Sequence, residues 1–176
     1  DGRTLAVGNG TVVALWDTAD RRLRAELVAP AGRRLPPGPA VNARMFHCGE
    51  FAPDGAALAT GGGDHAVRLW GVATGRLGAE LKGHDRVVTA VAFTPDGQYL
   101  FAAEGPTVVQ APRRPAGGGP APAAEPPPAK PADGYRVWRW DLSTGKESAA
   151  MAGAAWDAVK LAAAPDGKKV LGIGTA

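Results

Sequence analysis

The chain has 176 residues, a net charge of +3 and one cysteine, and it is rich in glycine (25) and proline (16). One cysteine excludes an internal disulfide and most cysteine-rich metal sites, and the scattered Lys and Arg residues give little support for nucleic-acid binding. No apolar run is long enough to cross a bilayer, so neither a nucleic acid nor a membrane is expected as a partner.

An Asp-Gly turn followed by an apolar run occurs four times along the chain, starting at Asp1, Asp54, Asp96 and Asp166. In the second copy a Trp follows the Asp after 16 residues, and the next Asp follows that Trp after 26. The other intervals agree with these once two insertions are set aside. The chain therefore repeats a unit of about 42 residues, which is the length of a four-stranded repeat.

The two insertions differ in length and composition. Residues 30–40 interrupt the first interval, and residues 106–133 form a 28-residue tract with nine prolines. The longer tract has too few large apolar side chains to offset the entropy of ordering it. We expect it to be mobile or extended.

Each repeat unit is interpreted as four short strands. In the middle unit the segments MFHCGEF, ALATGG, AVRLWGV and RLGAEL are separated by turn residues. Asp-Gly is a favoured hairpin pair, and the turn WGVATGR at 70–76 returns as WDLSTGK at 140–146. One such sheet needs similar sheets stacked on each side. The sequence predicts an all-β chain built of four-stranded antiparallel sheets.

The Gly-His pair at 83–84, the Trp-Asp pairs at 16–17 and 140–141, and the PDG turns resemble the WD-repeat β-propellers. The resemblance covers nearly the whole chain outside the two insertions. It implies that the sheets are propeller blades, and the strand count implies a partial, open propeller completed by missing blades of the same parent chain. The expected division is an incomplete blade at 1–29, the inserted loop at 30–40, complete blades at 41–82 and 83–152, and the start of a further blade at 153–176.

In this family a His before the first strand, a Ser or Thr in the second strand, an Asp in the next turn and the Trp form a hydrogen-bonded tetrad. The resemblance places the tetrad positions at Asn42, Thr60, Asp64 and Trp70 in the middle unit, at His84 and Trp140 in the next, and at Trp16 in the first. Ala102 occupies a Ser/Thr position, and the second insertion displaces an Asp. Because no unit has a complete tetrad, we expect blades held mainly by apolar packing.

The residues give little indication of catalysis. Neither serine lies in a nucleophile elbow, and carboxylates are spread singly with no obvious acid/base pair. His47 and Cys48 are neighbours on a strand, so their side chains point to opposite faces and cannot share a metal. We therefore assign no catalytic, cofactor-binding or metal-binding residue and expect no enzyme. The repeated Trp residues fit structural packing better than a ligand cage.

Loop variation indicates which face binds. In WD-repeat propellers the loops that carry both insertions here lie on one face, while the short PDG and TG turns lie on the other. Alignment of the segments before the first strands puts Arg44, Arg86 and Trp156 at one offset on the insertion-bearing rim. These residue types anchor interfaces, although two solvated arginines and a packing Trp explain the column equally well.

Two functions remain open from the sequence. The first is a non-catalytic protein–protein interaction scaffold that binds a protein or peptide through the insertion-bearing face. The second is a sensory or regulatory propeller region of a larger bacterial enzyme such as a protein kinase. No cofactor is expected, and a cytoplasmic location is favoured although no residue determines the compartment.

Overall fold

The computed structural model describes residues 2–30, 45–105, 136–152, 157–166 and 169–175. These residues form strands, turns and loops, with no helix among them. Their strands group into four antiparallel sheets, and within each sheet the strands that follow one another in the chain pair with each other. The repeat unit of the sequence therefore corresponds to a meander of consecutive strands.

The strands are numbered in chain order. Sheet one contains β1 (Thr4–Gly8), β2 (Val12–Asp17) and β3 (Leu23–Val28). Sheet two contains β4 (Phe46–Phe51), β5 (Ala57–Gly62), β6 (Val67–Gly71) and β7 (Arg76–Leu81). Sheet three contains β8 (Val88–Phe93), β9 (Tyr99–Glu104), β10 (Arg136–Asp141) and β11 (Lys146–Ala152). Sheet four contains β12 (Asp157–Ala163) and β13 (Val170–Thr175).

Left-handed backbone conformations shape the tight turns. Gly55 and Gly97 in the PDG turns have φ angles of 71° and 70°, and Gly75 and Gly145 in the TG turns have 65° and 67°. Glycine adopts this region without the steric cost that a Cβ brings. Arg21 occupies the equivalent place in the first unit and still has a φ of 55°. The turn geometry is thus kept where the sequence motif has degenerated.

The core consists of apolar layers between successive sheets. Between sheets one and two pack Val13, Leu15, Leu27, Leu58, Trp70 and Val72. Between sheets two and three pack Ala59, Val67, Leu81, Val88, Val91, Phe93, Leu100, Ala102 and Trp140. Between sheets three and four pack Ala90, Ala92, Phe101, Ala103 and Leu161. Sheets two and three are therefore covered on both faces, as stacked repeats require.

The predicted fold class is confirmed: the described residues are all-β, and sheets two and three each have four antiparallel strands. Within the described ranges the four sheets share no strand, and successive sheets stack face to face through these apolar layers. The insertion at 106–133 and nearly all of the insertion at 30–40 lie outside the described residues. The proposed division of the chain into blades stays a prediction.

Candidate functional site

Thr60 and Trp70 are brought together by the pairing of β5 with β6. In this register Leu58 lies opposite Trp70 and Thr60 lies opposite Arg68. The indole Nε1 of Trp70 donates to the hydroxyl oxygen of Thr60 at 2.9 Å, and both side chains are buried. The bond gives the buried indole N–H a partner while its ring packs in the core between sheets one and two.

Asp64 lies in the turn after β5, and its carboxylate binds the guanidinium of Arg68. Arg68 Nη2 donates to Oδ2 at 2.5 Å and Nη1 donates to Oδ1 at 3.3 Å, with both side chains almost fully buried. A two-pronged contact of this kind satisfies a buried carboxylate well. Sequence reasoning missed Arg68 because a single Arg on a strand is usually solvated. Asn42, the remaining position of this unit, lies outside the described residues.

His84, in the segment before β8, has a partner that the sequence did not indicate. Its Nδ1 lies 2.8 Å from Oε1 of Glu104, and both side chains are fully buried. The same oxygen accepts the backbone N–H of Asp85 at 3.2 Å. Glu104 ends β9, whereas the family's carboxylate comes from the following turn.

Two indole rings pack against the imidazole of His84. Trp138 meets it edge-on, with ring centroids 5.7 Å apart, and Trp140 meets it at a tilt, with centroids 5.8 Å apart. Four buried atoms of this group have no hydrogen-bond partner among the described residues, namely Nε2 of His84, Oε2 of Glu104 and Nε1 of Trp138 and Trp140. Ala102 provides no hydroxyl where Thr60 provides one in sheet two.

Trp16 is more exposed than its copies in sheets two and three, whereas Asp17 accepts turn N–H groups as Asp141 does in sheet three. Trp16 is 38% exposed, whereas Trp70 is 3% exposed and Trp140 is 5% exposed. Asp17 accepts the backbone N–H groups of Ala19 and Asp20 at 2.9 and 3.1 Å. These hydrogen bonds, that from Asp20 first, lower the pKa of the Asp17 carboxyl. The carboxylate thus stabilises the turn between β2 and β3.

One of the three residues proposed for partner binding lies within the described part of the chain. Arg86 is half-buried in the segment before β8. Beside it, Asp85 forms an ion pair with Arg136 at 3.4 Å, and both of these side chains are exposed. Arg44 and Trp156 lie outside the described residues. The proposed column therefore stays a prediction.

The chain reaches both insertions from one rim of the sheets. Gly63 N donates to Met45 O and Gly105 N donates to Val87 O, both at 2.9 Å. These repeated bonds place the chain just after residues 31–44 and just before residues 106–135 at equivalent ends of neighbouring sheets. The PDG and TG turns lie at the opposite strand ends.

A cavity of about 350 Å³ lies between sheets one and two. Its lining includes His47 and Cys48, and desolvation raises the pKa of the Cys48 thiol to about 12. Such a thiol is a poor nucleophile at neutral pH. Within the described residues no three His, Cys, Asp or Glu side chains cluster as metal ligands, and no helix there is long and apolar enough to span a membrane.

Stacked antiparallel meanders of four strands, with apolar layers between them, are the architecture of β-propeller blades. Residues 43–71 and 75–108 each match the family model described as WD domain, G-beta repeat. The chain therefore contains repeats of the WD40 family, and the resemblance inferred from its motifs is confirmed.

Several curated proteins are similar to parts of the chain. WD repeat-containing protein VIP3 of Arabidopsis thaliana is 32% identical over 105 residues, which is 57% of this chain and 33% of that protein. Protein Atg16l2 of Mus musculus is 44% identical over 55 residues, or 30% and 9% of the two chains. Lissencephaly-1 homolog of Dictyostelium discoideum is 47% identical over 45 residues, or 26% and 11%. The chain thus spans one third or less of the length of these relatives.

Proposed function

We propose that the chain is a non-catalytic scaffold that binds a partner protein through the rim from which both insertions leave. The observation that carries this proposal is the shared position of the two insertions. The backbone bonds of Met45 with Gly63 and of Val87 with Gly105 put the described segments that lead to both insertions on one rim. Sequence variation concentrated on one side of a rigid scaffold is characteristic of a binding surface.

The side chains of this rim are suited to a polar protein interface. Arg86 is half-buried, which limits the entropy lost when it is fixed in a contact. The ion pair of Asp85 with Arg136 is exposed and lies beside it. Arginine is enriched among residues that dominate binding energy. The similarity to WD-repeat relatives supports the same general role, because the repeat is a scaffold on which binding surfaces are built.

Affinity capture with matched charge reversals tests the proposal. The full chain is immobilised, bound proteins are identified by mass spectrometry, and the capture is repeated with R86E and R136E. The matched control is R76E with K146E, which reverses two exposed charges at the opposite rim. We expect a partner that binds the native chain and the control and is lost with R86E and R136E. Equal loss in both variants, or loss in the control alone, contradicts the proposed face.

A further inference from the structure

Sheets two and three can be compared residue by residue because their backbones repeat. Leu58 pairs with Trp70 as Leu100 pairs with Trp140. The bond from Gly63 N to Met45 O recurs as that from Gly105 N to Val87 O, and both are 2.9 Å long. Glu104 in β9 is therefore equivalent to Gly62 in β5.

The same alignment of the two sheets shows which residue of sheet three corresponds to Asp64 of sheet two. Asp64 stands two residues after Gly62, so its counterpart two residues after Glu104 is Pro106. Proline has no carboxylate. The long insertion begins at this residue, so sheet three lacks a turn Asp at the place where sheet two has one.

In sheet two a side chain at Gly62 would be crowded by the backbone before β4 and, less severely, by the turn Asp. A Cβ atom added to Gly62 would lie 2.8 Å from the carbonyl oxygen of Met45 and 3.3 Å from Oδ1 of Asp64. Both contacts are shorter than ordinary packing distances. Glycine at this position therefore makes room for the carboxylate that arrives from the turn.

In sheet three the carboxylate is carried by the strand and not by the turn. Glu104 is 0% exposed, and its Oε1 takes both the His84 Nδ1 contact at 2.8 Å and the Asp85 N–H at 3.2 Å. The indole of Trp138 stands against His84 at the register position that Arg68 occupies in sheet two. A buried carboxylate thus remains beside the segment before β8, but it comes from the strand.

We propose that Glu104 replaces the missing turn Asp and makes the anchoring of His84 independent of the loop that follows β9. A carboxylate carried by a turn is positioned only while that turn keeps its length and shape. A carboxylate carried by the last residue of a paired strand is positioned by the ladder to β8 and β10. This arrangement explains how the blade accommodates a 28-residue insertion at the position where the family's tetrad needs a fixed residue.

Loop and strand variants, made singly and combined in the full chain, test whether Glu104 replaces the turn Asp. The first background keeps the native loop. In the second, residues 105–135 are replaced by Gly-Asp-His, the sequence at 63–65, which restores a turn Asp. E104G is made in both, and the folding equilibrium constant is measured by urea unfolding. A103G, made in both backgrounds at the neighbouring residue of β9, corrects for glycine in a strand.

With the native loop, we expect E104G to reduce the folding equilibrium constant by tenfold or more beyond A103G, because the buried oxygen that accepts from Asp85 and contacts His84 is lost. With the grafted turn the loss should fall to within about threefold, because the new Asp takes over. The His84 Nδ1–H resonance in the proton NMR spectrum should disappear only in E104G with the native loop. Equal losses in both backgrounds overturn the proposal. If E104G does not fold with the native loop, E104Q is compared in the same two backgrounds under the same criterion.

Discussion

Trp70 and Thr60 are joined by a buried hydrogen bond of 2.9 Å from the indole Nε1 to the hydroxyl oxygen. The ring of Trp70 also meets that of Phe46 edge-on, with centroids 6.3 Å apart. One residue thus combines apolar packing between sheets one and two with a polar tie inside sheet two. Trp16 occupies the same repeat position in sheet one but is much more exposed.

Replacing Trp70 with Ala should reduce the free energy of unfolding by about 3–5 kcal/mol, because a large buried side chain leaves a cavity. The matched control is W16A, which removes the same chemical group from an exposed position and should cost well under half as much. Urea unfolding followed by circular dichroism measures both. A loss below about 1 kcal/mol for a folded W70A chain would contradict the packing described here.

Replacing Ala102 with a residue that carries a hydroxyl should stabilise sheet three. Thr60 supplies a hydroxyl to Trp70 in sheet two, whereas Trp140 Nε1 lacks a partner among the described residues of sheet three. A102S should raise the free energy of unfolding by about 1 kcal/mol by satisfying a buried donor.

The control for this substitution is A103S. Ala103 is equally buried but lies on the other face of β9, in the apolar layer against sheet four. A hydroxyl there should reduce the free energy of unfolding by about 1 kcal/mol or more. Two losses of similar size would show that the space beside Trp140 does not receive a hydroxyl.

Arg21 is expected to carry backbone strain. Its φ of 55° lies in the left-handed region, where a Cβ costs about 1 kcal/mol, and the equivalent residues Gly75 and Gly145 avoid that cost. R21G should therefore raise the thermal midpoint. R22G, one residue later where the backbone is not left-handed, should lower it because glycine adds entropy to the unfolded chain. The prediction fails if both variants shift the midpoint downwards.

Glu50 should make stability depend on pH. Desolvation raises the pKa of its carboxyl, and the N–H of Phe93, 2.8 Å away, and the charge of Lys160 offset that rise in part. The folded chain therefore favours the protonated form, and stability falls as pH rises from the unfolded pKa, near 4.5, through the higher folded value. The free energy of unfolding of the native chain relative to E50Q should decrease between about pH 4 and pH 7.

The control for this titration is E26Q, which removes one exposed carboxylate from sheet one. Unfolding free energies of the native chain, E50Q and E26Q are measured at the same pH values. A difference between the native chain and E50Q that stays constant, or grows as pH rises, contradicts the direction given for Glu50.

The strands and turns could be predicted from the sequence because they depend on local patterns. Turn pairs and short apolar runs recur at a fixed period, and the Thr60–Trp70 contact follows from the family resemblance. Arg68 and Glu104 could not be predicted in the same way. Sheets two and three are packed on both faces, so alternation along a strand does not tell a buried charge from a solvated one. Their partners depend on which side chains meet after the sheets have formed.

The difference in exposure between the repeated Trp residues could not be predicted from the sequence either. Trp16 and Trp70 stand at the same position of the repeat, but only Trp70 is covered by a neighbouring sheet. Burial here is a property of stacking rather than of the unit itself. Stacking likewise determines the exposure of the outer faces of sheets one and four.

The outer faces of sheets one and four carry exposed apolar side chains. On sheet one these are Leu5, Val7, Trp16, Leu23 and Val28, and on sheet four they are Leu171 and Ile173. In sheet two, Leu58 and Trp70 stand at the positions of Leu5 and Trp16 and are buried against sheet one. The exposed faces are therefore of the kind that another sheet covers, and apolar patches of this sort promote association.

We expect the isolated chain to self-associate through these two faces, with free strand edges adding a second route. Sedimentation velocity over a range of concentrations should show the average mass rising with concentration. The double variant L5K with L171K should reduce the association, because it places a charge on each face. L77K, at an exposed apolar residue on β7 outside both faces, should leave it unchanged. A compact monomer at high concentration would mean that the end sheets cover each other within one chain, which would favour a closed four-bladed ring.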